Sequence, residues 1–176
     1  KQQYLADDTF YGETDTEIAV HLIEYFANQG LSTKAAFKKA LKEIRGSYAF
    51  GLIDKNDRET IYVGKNKSPL LIGLGDGFNV ICSDALAMLQ QTNQFVEIND
   101  GEMVIVTKDH IEIEDPAGNE IQRAPYEAKI DLSDMEKGTY PYYMLKEIDE
   151  QPATMRRIIS EYTDETGTVV IEDELL

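Results

Sequence analysis

The hydrophobic positions near the start of the chain recur every three or four residues, as on one face of an α-helix. This spacing over residues 16–28 predicts an amphipathic helix that ends at Gly30. A second helix is predicted from its N-cap residue Ser32 to Gly46. The apolar stripes of the two helices are Ile18, His21, Leu22, Tyr25 and Phe26, and then Ala36, Phe37, Ala40, Leu41 and Ile44.

From Ser47 onward, short apolar runs alternate with turn residues, which is typical of β-strands. Gly75–Gly77 lies between two of these runs and predicts a hairpin turn. Clean alternation in 110–114 predicts a hairpin with one face open to water, and residues 84–91 predict a short helix. The strands are predicted at 48–53, 60–63, 70–74, 78–82, 94–98, 102–106 and 110–114.

The last part of the chain returns to helical spacing. Residues 126–140 predict a loosely ordered connection, and an apolar stripe then runs from Tyr143 to Tyr162, with Pro152 inside it. Proline removes a backbone donor from a helix interior, so either one helix with a proline near its first turns or two helices fits. Helices, then mostly antiparallel strands, then a helix together predict an α+β fold.

Composition excludes several classes of function. Thirty-three acidic and 17 basic residues give a net charge of −16, which repels nucleic acid and anionic membranes. No apolar run is long enough to span a bilayer. Cys82 is the only cysteine, so no internal disulfide is expected. These features predict a cytoplasmic protein with no nucleic-acid or membrane partner.

Most of the motifs considered as candidate functional sites have a simpler structural explanation. Gly73–Gly77 lacks the spacing of a phosphate-binding loop and precedes a strand. His21 and His110 have no ligand partners at metal spacing, so no metal and no cofactor are predicted. Cys82 lies in an apolar strand, where a thiol is usually inert. The basic segment Lys65–Pro69 fits either an anion contact or a solvated turn. We therefore predict no catalytic residue.

The segment Glu13–Glu17 offers a more specific signal. Thr14 followed three residues later by Glu17 forms a capping-box pattern at the start of the first helix. Asp15 then falls in the first turn, where the helix dipole favours a negative charge. Spacing alone leaves two interpretations open: a well-formed helix start, or an acid held in place to bind a cation such as a substrate ammonium.

Several segments, in order and spacing, resemble the glutaminase domain of the glutamine–fructose-6-phosphate aminotransferases, the glucosamine-6-phosphate synthases. The resemblance covers nearly the whole chain, and its most specific part is the Lys146–Pro152 run. The segments are Glu13–Glu17, Gly46–Ala49, Lys67–Gly75, Ser83–Asp84, Lys137–Tyr140 and Tyr143–Pro152.

The resemblance implies an N-terminal-nucleophile hydrolase fold, with two antiparallel sheets between helical layers. It also implies that the parent enzyme takes ammonia from glutamine, by attack of an N-terminal cysteine, and passes it to fructose 6-phosphate in a second domain. Asp15 matches the family residue that pairs with the α-ammonium of glutamine, and Glu13 and Thr14 match the loop around it. Tyr142 departs from the histidine found in many relatives.

The same resemblance implies that this chain is the C-terminal part of that domain, without the nucleophile. We therefore expect residues 1–162 to form a partial glutaminase domain and 163–176 an acidic tail or linker. We expect the chain alone to be inactive, and the exposed sheet edges favour a homodimer. Two alternatives remain: a non-catalytic binding or assembly module with this fold, and another class II amidotransferase.

Overall fold

The computed structural model describes residues 4–6, 8–128, 137–164 and 166–170. The chain divides into two compact units, Lys1–Lys129 and Ile130–Leu176. The domain limits predicted above, 1–162 and 163–176, stay a prediction. Among the described residues, no helix is long and apolar enough to cross a membrane.

Two α-helices open the first unit. Helix α1 spans Asp15–Asn28 and helix α2 spans Thr33–Glu43. Gly30 follows α1 with a positive φ and donates its N–H to Ala27 O, which confirms it as the residue that ends this helix. Ser32 caps α2 as predicted, but α2 ends at Glu43 and not at Gly46, because Ile44 already has an extended backbone.

The strands of the first unit form two antiparallel sheets. The five-stranded sheet has the order β1-β2-β6-β7-β8, and the four-stranded sheet has the order β4-β3-β5-β9. The strands are β1 Tyr48–Asp54, β2 Asp57–Asn66, β3 Leu71–Leu74, β4 Asn79–Cys82, β5 Gln94–Glu97, β6 Met103–Val106, β7 Ile111–Glu114, β8 Glu120–Ile121 and β9 Tyr126–Glu127.

Turn chemistry sets the connections between these strands. Gly75 donates its N–H to Phe78 O and Gly77 has a positive φ, so the predicted β3–β4 hairpin is confirmed. The predicted helix at 84–91 is only a 3₁₀ turn over Ala85–Met88, whose start is capped by Asp84. In the predicted connection at 126–140, β9 is a short strand, and residues 129–136 lie outside the described part.

The core of the first unit lies between the two sheets. One buried cluster combines side chains of both sheets, so they pack face to face. A second cluster joins α1 and α2 through Leu22, Phe26, Ala36 and Ala40. Members of the inter-sheet cluster are Val63, Leu70, Ile72, Val96, Ile98, Val104, Val106 and Ile113.

Helix α2 covers the other face of the five-stranded sheet. A Cβ at Gly64 of β2 would lie 2.5 Å from Leu41 Cδ1, so glycine lets helix and strand approach closely. Glu112 and Glu114 of β7 point to the same face. The expectation that this face is open to water is therefore wrong: Glu114 is only 7% exposed, because lysines of α2 cover it.

The second unit contains helix α3, Tyr143–Tyr162. It is one continuous helix, and Pro152 lies in its middle, not near its first turns. Beyond it, Thr163 and Val169 form an isolated antiparallel bridge, while residues 171–176 of the predicted tail lie outside the described part. Over the described residues the fold is α+β with antiparallel sheets, as predicted.

Candidate functional site

The predicted site residues lie at the exposed start of α1. Thr14 has an extended backbone (φ −88°, ψ 144°), and its Oγ1 accepts a hydrogen bond from Glu17 N at 3.4 Å. This confirms Thr14 as the N-cap. Glu13 and Asp15 are exposed on either side of it. Within the described residues, no hydrogen bond or ion pair engages the Asp15 carboxylate, which leaves it open to an external cation.

Glu17 makes the other half of the cap, but with different partners from those of a standard capping box. Its Oε1 accepts from Tyr11 N at 2.7 Å and its Oε2 from Gly12 N at 2.8 Å. A capping box would instead direct this carboxylate to the backbone N–H of Thr14. The carboxylate therefore holds the loop that precedes the helix.

His21 lies one helical turn beyond Glu17. Its Nδ1 is 2.9 Å from Asp8 Oδ2, its Nε2 is 3.9 Å from Glu17 Oε1, and the ring of Phe10 lies 4.7 Å from its own. The spacing of the first helix placed His21 only on its apolar stripe. No sequence signal marks Asp8 as its partner, because the two are thirteen positions apart in an irregular segment.

A cleft of about 400 Å³ opens beside this histidine. Every residue that lines it carries a polar group, and two of the six are acids, so the cleft is polar. In the described part of the chain, no group of three or more His, Cys, Asp or Glu is placed to hold a metal ion. Its lining consists of Asp8, Thr9, His21, Glu24, Tyr25 and Asn28.

The other sequence candidates have structural roles. Burial raises the pKa of the Cys82 thiol, although Asp84 N donates to it, so the thiol stays protonated at neutral pH. Cys82 also belongs to the four-stranded sheet and not to the helical layer of Asp15. In the basic segment, Lys65 Nζ pairs with Asp100 at 3.1 Å and Lys67 N donates to the same carboxylate. This favours the structural turn over an anion contact.

Comparison with known proteins shows that the whole chain is similar to a group of bacterial aminotransferases. A glutamine–fructose-6-phosphate aminotransferase (isomerizing) of Streptococcus pneumoniae serotype 4 is 62% identical over 177 residues, covering 100% of this chain. Enzymes of the same name from Staphylococcus epidermidis and Lactococcus lactis are 60% and 58% identical, again over the whole chain. This chain is homologous to one segment of these aminotransferases. No family model matches it.

The chain spans about 29% of the length of these relatives. Identity near 60% over every residue of the chain confirms the resemblance carried by the motifs around Asp15 and Lys146–Pro152. The names of the relatives describe the transfer of an amino group from glutamine to fructose 6-phosphate.

Proposed function

We propose that this chain is part of the glutaminase domain of a glutamine–fructose-6-phosphate aminotransferase, and that Asp15 binds the α-ammonium of glutamine. The observation that supports the role of Asp15 is its open carboxylate at the N-terminus of α1 in a chain about 60% identical to these enzymes. Glu13 and Thr14 shape the loop beside it.

The pairing of Asp15 with the α-ammonium of glutamine is an attraction between opposite charges. An aspartate is ionised at neutral pH, and its bond to an ammonium is charge-assisted and therefore stronger than a neutral one. The exposed carboxylate loses little solvation until the ligand arrives. Binding the α-ammonium fixes one end of glutamine, which leaves the side-chain amide to be presented to a nucleophile.

In the parent enzyme, hydrolysis of that amide releases glutamate and ammonia, and the ammonia aminates fructose 6-phosphate to give glucosamine 6-phosphate. The two antiparallel sheets with a helical layer are compatible with an N-terminal-nucleophile hydrolase fold, which we propose for the intact domain. A cytoplasmic location and self-association of this chain are further proposals, supported by the single cysteine and by the sheet edges at β1, β4, β8 and β9.

Asp15→Asn in the full-length enzyme tests the assignment, because it removes the charge and keeps the shape of the side chain. We expect the KM for glutamine to rise about 10- to 100-fold, the range for a lost charge-assisted hydrogen bond. The KM for fructose 6-phosphate should stay unchanged. An unaltered glutamine KM would leave Asp15 with a capping role only.

The chain alone should release no ammonia from glutamine, because its one thiol, Cys82, is protonated and lies within a sheet. Turnover by this chain that disappears in Cys82→Ala would contradict the assignment. A non-catalytic binding module is the alternative. It would predict that the full-length protein binds glutamine without hydrolysing it.

A further inference from the structure

The segment before α1 is fastened to that helix at two points. Glu17 accepts from the backbone of Tyr11 and Gly12, and His21 contacts the carboxylate of Asp8. Both helix residues lie on the same side of α1, because they are four positions apart. The segment is therefore held to α1 at Asp8 and again at Tyr11 and Gly12, just before Glu13.

Side-chain packing does not fix the backbone of the loop at Tyr11 and Gly12. Tyr11 is 93% exposed, so its ring contributes little to the position of its own backbone. Gly12 has no side chain, and a Cβ there would lie only 3.1 Å from Glu17 Oε2. The Glu17 carboxylate is thus the main described constraint on the backbone directly before Glu13.

The imidazole of His21 holds the segment further back, at Asp8. Its Nδ1 lies 2.9 Å from Asp8 Oδ2, within hydrogen-bond distance. The ring of Phe10 packs against that of His21 in a tilted arrangement, with the two centroids 4.7 Å apart. Nε2 of His21 lies 3.9 Å from Glu17 Oε1, beyond hydrogen-bond distance, so the two fastening points are separate.

We infer that Glu17 is a positioning residue for glutamine: through its two backbone hydrogen bonds it fixes the Tyr11–Glu13 loop at the side of the site next to Asp15. The inference rests on the proposed function, because it assigns the loop to the same glutamine site. An α-ammonium carries three donors, and Asp15 alone cannot satisfy all of them. A loop held rigid before binding costs less to order when the ligand arrives.

The test compares Glu17→Ala, Glu17→Gln and Glu43→Gln in the full-length enzyme. Glu43 is an exposed acid at the end of α2, outside the cleft, so its variant controls for the loss of one negative charge. We expect Glu17→Ala to raise the KM for glutamine about five- to twenty-fold, because two backbone hydrogen bonds are lost. Glu17→Gln should have a smaller effect, since one acceptor oxygen remains, and Glu43→Gln should have none.

The separation of KM from kcat distinguishes positioning from a purely structural role. A variant that only folds poorly lowers the apparent kcat by reducing the amount of active enzyme, and its KM stays that of the wild type. An unchanged glutamine KM in Glu17→Ala, together with a raised KM in Asp15→Asn, would overturn this inference alone. Unchanged values in both would overturn the proposed function as well.

Amide hydrogen exchange on this chain provides a second measurement if Glu17→Ala fails to fold. The N–H groups of Tyr11 and Gly12 should be protected in the wild type, and their exchange should become about tenfold faster in Glu17→Gln. The Glu43→Gln control should exchange at the wild-type rate. Equal exchange of these two amides in all three proteins would contradict the role of Glu17.

Discussion

At the scale of single residues, Glu102 and Arg123 form the most deeply buried charge pair described in the first unit. Glu102 is 4% exposed, and Arg123 meets it with two parallel bonds of 2.7 Å. Asn99 N donates to the same carboxylate at 2.8 Å, and Arg123 also donates to Glu97 O. The pair therefore ties β5 to the turn before β6.

Replacement of the arginine should be costly. Arg123→Ala leaves the Glu102 carboxylate buried with only the Asn99 donors, and we expect a loss of about 3 kcal/mol in the free energy of unfolding. Urea denaturation measures this loss. Arg58→Ala, at an exposed site of β2, is the matched control and should change stability by less than about 0.5 kcal/mol. Equal losses in both variants would contradict this account.

The hydrogen-bond partners of a residue could be predicted from the sequence only where they lie close to it along the chain. Thr14 and Ser32 could be predicted as caps, because each capping oxygen and the backbone N–H that donates to it lie within three positions. The true partners of Glu17 needed the path of an irregular loop. Glu102 gave no signal at all, since its partner Arg123 is 21 positions away.

At the scale of elements, the contact between α2 and β7 is made by charges. Lys34 Nζ lies 2.7 Å from Glu112 Oε1 and 2.6 Å from Glu114 Oε1, and Lys38 Nζ lies 2.6 Å from Glu114 Oε2. Alternation along β7 correctly predicted a polar face. It could not show that a helix 76 positions earlier supplies the cations that cover it.

This contact makes stability depend on pH. Burial alone would raise the pKa of Glu114, but hydrogen bonds from Lys34 and Lys38 outweigh burial and lower it. The hydrogen bonds to Glu112 and Glu114 raise the pKa of Lys34. The glutamate contribution is thus present above its unfolded pKa of about 4.3 and is lost as the pH falls through the folded value. The lysine contribution is present below its unfolded pKa of about 10.4 and is lost as the pH rises through the folded value.

Glu114→Gln should therefore destabilise the protein at pH 7 by about 2 kcal/mol, because Lys38 loses its charged partner. The difference from wild type should shrink as the pH falls below the unfolded pKa of about 4.3 and through the lowered folded pKa of Glu114, because the wild-type carboxylate then also loses its charge. Urea midpoints between pH 3 and pH 7 measure it. Glu59→Gln, at an exposed site of β2, should run parallel to wild type. A constant difference across this pH range would exclude the ion-pair explanation.

At the scale of the whole molecule, periodicity gave the fold class but not the assignment of strands to sheets. Adjacent hairpins such as β3–β4 and β6–β7 could be predicted from the turns between them. The pairings of β2 with β6 and of β3 with β5 join strands distant in sequence. Those pairings depend on which apolar faces meet in the core, as Val63 and Val96 do, and no local pattern encodes them.

The buried residues also bear on the limits of the folding unit. Every buried hydrophobic side chain described lies between Leu5 and Ile113, and none of the described side chains of α3 is buried. Core burial supplies most of the stability of a domain, so residues beyond Lys129 should contribute little to that of the first unit.

Truncation after Lys129 tests this expectation. We predict that the truncated chain unfolds in one cooperative transition, with a free energy of unfolding within about 0.5 kcal/mol of the corresponding transition of the whole chain, because it keeps every buried hydrophobic side chain described. Urea denaturation followed by the fluorescence of the half-buried Tyr25, Tyr48 and Tyr62 gives both values. Truncation after Tyr162 is the control, since it removes only the predicted tail. A large loss on truncation at Lys129, absent at Tyr162, would instead support a single domain over residues 1–162, with α3 as part of its folding unit.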